Sequence, residues 1–217
     1  TLIGLGVPTS VSETCICFGD PSRGIRVSRP SYGLTLQNEA LYVQNSVRHL
    51  ALDVPDLHDI KKKMQARGRS FENAPVDEFD SSAIYTLDPA QNLVAFCQAD
   101  YRLTEDDIQP FEKDWGWGLH HVNLQAVNVR EVIDFFTDIA GCKEGEWQAP
   151  SDRGDFSIDP AELSILSLGT FNRGLHIIRP DAGFAYRNQF AHNPSIGGHP
   201  AIWVPDVMAV KARLQEA

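Results

Sequence analysis

Residues 119–127, Leu-His-His-Val-Asn-Leu-Gln-Ala-Val, alternate between polar and apolar side chains. Side chains on a β-strand point to its two faces in turn, so this stretch predicts a strand with one apolar and one polar face. The apolar face carries Val122, Leu124 and Ala126. The polar face carries His121, Asn123 and Gln125. Alternating apolar residues also follow His49 and His199, so the sequence predicts three strands that each open with a histidine.

The sequence repeats itself at a constant offset of 150 residues. Residues 15–30 and 165–180 are identical at five of sixteen positions, and residues 49–67 and 199–217 at seven of nineteen. Two separate segments that match in one register indicate a duplicated unit.

The repeat predicts the domain organisation. We interpret residues 1–100 as a first unit, residues 101–117 as an acidic linker and residues 118–217 as a second unit. The offset also leads us to expect that the chain lacks roughly 30 residues of the first module at one end and of the last module at the other.

Each unit is expected to have an α+β fold made of two modules, in which a strand and a helix are followed by further strands. Apolar residues at helical spacing predict a helix over residues 129–140, ended by Gly141. Further strands are predicted at residues 83–87, 93–98, 163–168 and 175–178, the first two joined by a turn at residues 88–92.

The composition limits the classes of function. A net charge of -10 and a pI near 5.1 argue against nucleic-acid binding, which needs clustered Lys and Arg side chains. The sequence has no apolar run near the roughly 20 residues of a membrane span, and it shows no signal peptide. The four cysteines have no CxxC spacing and are interpreted as reduced thiols, so we expect a soluble, cytoplasmic protein.

Two segments resemble a known superfamily. HHVNLQAVNVREVIDFFTDIAG at residues 120–141 is similar to the opening of a vicinal oxygen chelate module, and SAIYTLDPAQNLVAFCQ at residues 82–98 to its closing DPxGNxxE segment. The resemblance implies tandem vicinal oxygen chelate domains built from paired βαβββ modules. Two such units, with a metal in the second, are similar to type I extradiol ring-cleavage dioxygenases.

The resemblance also implies site residues. His121 and His199 fall at the two histidine-ligand positions, and His176 at the position of the active-site histidine beside the metal. Where the family has its third ligand, a glutamate, the first unit has Ala95, and the offset of 150 moves that position to 245, beyond residue 217. With Arg26 at the position equivalent to His176, this predicts a first unit without a metal.

His120 competes with His121 for the ligand role. Adjacent residues of a regular strand point to opposite faces, and only His121 has the phase of His49 and His199, so His121 is preferred. Two histidines and one carboxylate suit Fe(II), although Mn(II), Zn(II) or Ni(II) would also bind.

The predicted function is a non-haem Fe(II) extradiol dioxygenase of aromatic catabolism, with a catechol-type substrate, O2, and His176 as the base. Two alternatives stay open: another metal-dependent lyase or isomerase of the glyoxalase kind, and a metal-free protein that binds a small aromatic ligand. We expect a homo-oligomer. Aromatic and imidazole side chains of a long loop are candidates for the substrate pocket: Phe184, Tyr186 and His192.

Overall fold

The computed structural model shows mixed sheets with few helices, which confirms the predicted α+β class. It describes residues 11–12, 15–18, 20–26, 49–74, 82–98, 118–145, 159–167, 174–181, 183 and 198–216. No helix in these ranges is long and apolar enough to span a membrane.

A three-stranded sheet comes first in the chain. Its strands, in the order in which they pair, are β1 (Val11–Ser12), β2 (Cys15–Phe18) and β3 (Asp20–Arg26). Both neighbouring pairs are antiparallel.

The next segment is a βαβββ module. Its elements are β4 (Leu50–Val54), α1 (Leu57–Ala66), β5 (Glu72–Asn73), β6 (Ala83–Leu87) and β7 (Leu93–Gln98). The sheet order is β4-β7-β6-β5, in which β4 and β7 are parallel. The first and last strands of the module therefore lie side by side.

A second βαβββ module has the same topology. Its elements are β8 (Gly118–Gln125), α2 (Val129–Phe135), β9 (Lys143–Gly145), β10 (Leu163–Ser167) and β11 (Gly174–Ile178). Again the first and last strands are parallel neighbours. After it come β12 (Pro200–Trp203), which adds to this sheet antiparallel to β8, and α3 (Val207–Glu216).

The helices begin and end where the sequence supplies capping residues. The Asp56 carboxylate accepts hydrogen bonds from two backbone N–H groups at the start of α1, and Asp206 does the same for α3. The helix predicted over residues 129–140 is instead α2 followed by one π-helical turn, Phe136–Ala140. Gly141 ends that turn at φ 71°, a left-handed conformation that glycine adopts without strain.

The repeat seen in the sequence is also present in the strand pairing. In the β2–β3 hairpin, Cys15 pairs with Arg26. In the β10–β11 hairpin, Ile165 pairs with His176, which is the same pairing 150 residues later. The two hairpins thus have one register.

One hydrophobic core joins the two βαβββ modules. From the β4–β7 module it contains, among others, Leu52, Ile60, Met64 and Phe96. From the β8–β11 module it contains, among others, Val132, Phe136, Leu166, Leu175 and Ile177. Each sheet therefore has one face in this core and one face directed away from it.

Candidate metal centre

Two histidines and an asparagine form a row across three neighbouring strands. His176 on β11 pairs with Asn123 on β8. On the other side of β8, the Asn123 N–H donates to the backbone carbonyl of His199, 2.8 Å away and just before β12. The row lies on the sheet face directed away from the core, because Val122 and Leu124 pack on the opposite face.

His121 stands on the same face, two residues before Asn123. Its ring is stacked on the His176 ring with centroids 3.8 Å apart and an interplanar angle of 15°. The His199 ring lies 5.7 Å away, edge to face. The structure thus brings together the three histidines that the sequence singled out, although they are far apart in the chain.

His120 lies beside this group, against the expectation of strict alternation. On β12, Ala201 pairs with His121 and Ile202 with Leu119, so the strand pairing shifts at His120. The extra residue of such a β-bulge is re-aimed relative to a regular strand. Nδ1 of His120 lies 2.8 Å from Nδ1 of His121.

The sequence assigned no role to Asn123, although its place on the polar face of β8 was the available signal. The side chain is only 3% exposed, and its Nδ2 atom lies 3.2 Å from Nε2 of His199. Its Oδ1 atom is buried and accepts no hydrogen bond within the part of the chain that the structure describes. Buried polar atoms are usually paired, so this oxygen is a feature of the site that the described residues alone do not explain.

The electrostatics keep His121 neutral. Burial, with the neighbouring imidazoles, lowers its pKa to about 3. Protonating it would place a charge against other imidazoles in a half-buried position. A neutral imidazole keeps one nitrogen lone pair, which is the form that binds first-row metals, so His121 is in the protonation state that a metal ligand needs.

The described residues supply histidines only. Among them, no group of three His, Cys, Asp or Glu side chains has an arrangement that could hold a metal ion. The carboxylate ligand implied by the resemblance is likewise not among these residues.

Comparison with protein-family models finds no match, and neither does comparison with curated protein sequences. Solved structures do match. The 2,2',3-trihydroxybiphenyl 1,2-dioxygenase from dibenzofuran-degrading Sphingomonas wittichii strain RW1 is 12% identical, with 76% of this chain and 56% of that chain covered, at a TM-score of 0.50. The chain has the vicinal oxygen chelate fold.

Two further structures match. The Mn(II)-bound glyoxalase from Novosphingobium aromaticivorans is 17% identical, with 76% of this chain and 50% of that chain covered, at a TM-score of 0.43. The 2,3-dioxygenase LapB from Pseudomonas sp. KL28 is 17% identical, with 59% of this chain and 48% of that chain covered, at a TM-score of 0.41. The chain therefore spans about half the length of each of these proteins.

Among the described residues, the equivalent face of the β4–β7 module has no such row of histidines. Its His49, which the offset aligns with His199, has Nε2 at 3.5 Å from the Tyr85 hydroxyl. Buried apolar residues and the Tyr85 ring lie on this face of the β4–β7 sheet, and Ala95 is fully buried among them. The side chain of Arg26, and the loop residues Phe184, Tyr186 and His192, lie outside the residues that the structure describes.

Proposed function

We propose that the chain carries the active site of a non-haem iron(II) extradiol dioxygenase that cleaves a catechol-type aromatic ring with O2. The observation that carries the proposal is the group of three histidines on one sheet face, His121, His176 and His199, with the stacked pair only 3.8 Å apart. The fold shared with a ring-cleaving dioxygenase supports the reaction class, although one fold hosts many reactions.

His121 and His199 would hold the metal. Both side chains are half-buried, and the rings lie 5.7 Å apart across the paired strands β8 and β12. When bound, iron(II) supplies the Lewis acidity that favours loss of a proton from a coordinated hydroxyl, and the electrons for reaction with O2. We assign the site to the proposed second unit, residues 118–217, and propose that the first, residues 1–100, holds no metal.

His176 is the proposed base. Its ring lies against His121, so a substrate hydroxyl near the metal would be within its reach. A neutral imidazole accepts a proton at physiological pH and returns it to the product later. Because the residue is only 5% exposed, its imidazole would contact bound substrate rather than bulk water.

One observation favours a second candidate function, a metal-free protein that binds a small aromatic molecule. This observation is that the described residues contain no three-ligand group. Apolar side chains also continue the histidine face on β10 and β11. These side chains are Leu163, Ile165 and Ile178. They would pack against an aromatic ring in either case, so the metal decides between the two functions.

Metal content of the purified protein tests the proposal. We expect about one iron per chain, and His199→Ala should abolish binding because it removes one of only two described ligands. The matched control is His49→Ala, at the aligned position of the first unit, which should leave the metal content unchanged. Ring cleavage is then followed on a small panel of catechols.

Three results would count against the proposal. Binding of a catechol without any metal favours the metal-free alternative. Activity on other substrates with Mn(II), Zn(II) or Ni(II), without cleavage of an aromatic ring, favours the glyoxalase-like alternative. Equal loss of metal in the two alanine variants would show that the site is assigned to the wrong unit.

A further inference from the structure

The β-bulge in β8 brings two consecutive imidazoles into direct contact. In a regular strand, residues 120 and 121 would stand on opposite faces. Here the pairing to β12 shifts between Ala201 and Ile202, and Nδ1 of His120 comes within 2.8 Å of Nδ1 of His121. The two rings meet edge to face, with centroids 5.0 Å apart.

We propose that His120 is a positioning residue, whose Nδ1 accepts a hydrogen bond from Nδ1–H of His121 and so directs the Nε2 lone pair of His121 to a metal ion. The inference rests on the proposed function, because it takes His121 as a ligand. It gives a positioning role to His120, which the sequence offered only as the less favoured candidate ligand.

The argument follows from the hydrogen bond itself. Of two nitrogen atoms 2.8 Å apart, one donates and the other accepts. If His120 donated, the proton of neutral His121 would sit on Nε2 and leave no lone pair there. If His121 donates, its proton sits on Nδ1 and Nε2 is free. Partners of this kind, which fix the tautomer and the ring orientation of a ligand, change metal affinity about 10- to 100-fold when they are removed.

The contact also fixes the orientation of the His121 ring. His176 is stacked on one side of that ring at 3.8 Å, which limits tilting, whereas the bond from Nδ1 limits rotation about the ring axis. A ligand held in both ways loses less conformational entropy when the metal binds.

The first measurement needs no metal. Long-range ¹H–¹⁵N spectra of metal-free protein with ¹⁵N-labelled histidine report which ring nitrogen of His121 carries the proton. We expect the proton on Nδ1 in the wild type and in His120→Asn, whose amide oxygen replaces the acceptor. In His120→Phe, which keeps a ring and removes the acceptor, we expect a mixture of the two tautomers.

The second measurement is Mn²⁺ affinity by calorimetry on the same variants, with melting temperatures as the check on folding. His120→Phe should bind about 10- to 100-fold more weakly, and His120→Asn should recover most of the loss. His58→Phe, on the exposed start of α1, is the control and should not change affinity.

The two measurements separate the two proposals. A proton on Nε2 of wild-type His121, or an unchanged tautomer in His120→Phe, overturns the role of His120 whether or not a metal binds. If the tautomer changes as expected but the wild type binds no Mn²⁺ and no Fe²⁺, His120 orients His121 as proposed and the metal function is wrong.

Discussion

His176 occupies a position where the fold does not require an imidazole. It is 5% exposed and pairs with Ile165 across the β10–β11 hairpin. In the β2–β3 hairpin the aligned residue is Arg26, and the backbone register there is the same. The strand pairing therefore forms with either residue, so it does not account for the histidine.

His176→Gln should keep the fold and the metal but lower the rate of ring cleavage by about 10²- to 10⁴-fold, which is the usual contribution of a positioned acid or base. The amide can form hydrogen bonds but cannot take a proton. Turnover, metal content and melting temperature should be measured together. Unchanged turnover contradicts the assignment, and loss of metal would make His176 a ligand.

At the residue scale, alternation singled out His121 and His199, and the resemblance to the vicinal oxygen chelate superfamily added His176; the structure groups these three together. Alternation was not sufficient for His120, because it assumes a regular strand and a bulge breaks it. Nor did the sequence reveal the buried amide of Asn123. A bulge depends on how two distant strands pair, here β8 and β12, and no local pattern in either strand records it.

At the element scale, the turn between β6 and β7 contains a residue under backbone strain. Gln91 has φ 66°, in the left-handed region that glycine occupies at little cost. The turn is held by Asp88, whose carboxylate accepts hydrogen bonds from the N–H groups of Ala90 and Asn92, each at 2.8 Å. The exposed Gln91 side chain adds little that offsets the strain.

Gln91→Gly should therefore raise the free energy of unfolding by about 0.5–1 kcal/mol, because it relieves the left-handed strain. Gly141→Ala is the matched opposite: φ is 71°, and an added Cβ would meet nothing within 4 Å, so any loss of stability comes from the backbone conformation. Urea denaturation of both variants measures the effect. A destabilised Gln91→Gly would mean that the glutamine side chain holds the turn.

The elements themselves were predictable in proportion to their length and periodicity. β6, β7 and the Gly141 terminus agree with the prediction, since alternation and turn residues fix them locally. The short strands β5 and β9, of 2 and 3 residues, carry too few side chains for a period to be visible. The π-helical turn was missed because its apolar spacing resembles that of an α-helix over so short a stretch.

At the scale of the whole molecule, the two βαβββ modules share one core, so we expect them to unfold together. Met64 on α1 is fully buried in that core, which also contains Phe136 and Leu175 from the other module. Met64→Ala should lower the free energy of unfolding by about 2–4 kcal/mol, through lost packing and the cavity left behind.

Hydrogen exchange tests whether the loss is shared. We expect faster exchange in β10 and β11 as well as in α1 and β7 of the Met64→Ala variant. The control is Met208→Ala on α3, where the side chain is 65% exposed and the change should be less than about 0.5 kcal/mol. Faster exchange confined to the β4–β7 module would show that the two modules unfold independently.

The shared core also lies between the two outward faces and separates them. Ala95 lies on one of these faces and His176 on the other, and a core of apolar side chains separates them. The side chains of that core are apolar, and polar contacts join the modules only at its edge, for example from Asn92 Nδ2 to the Gln125 carbonyl at 3.1 Å, among the described residues. The two faces can therefore carry different side chains, mostly apolar residues and Tyr85 on one and histidines on the other, over one common core.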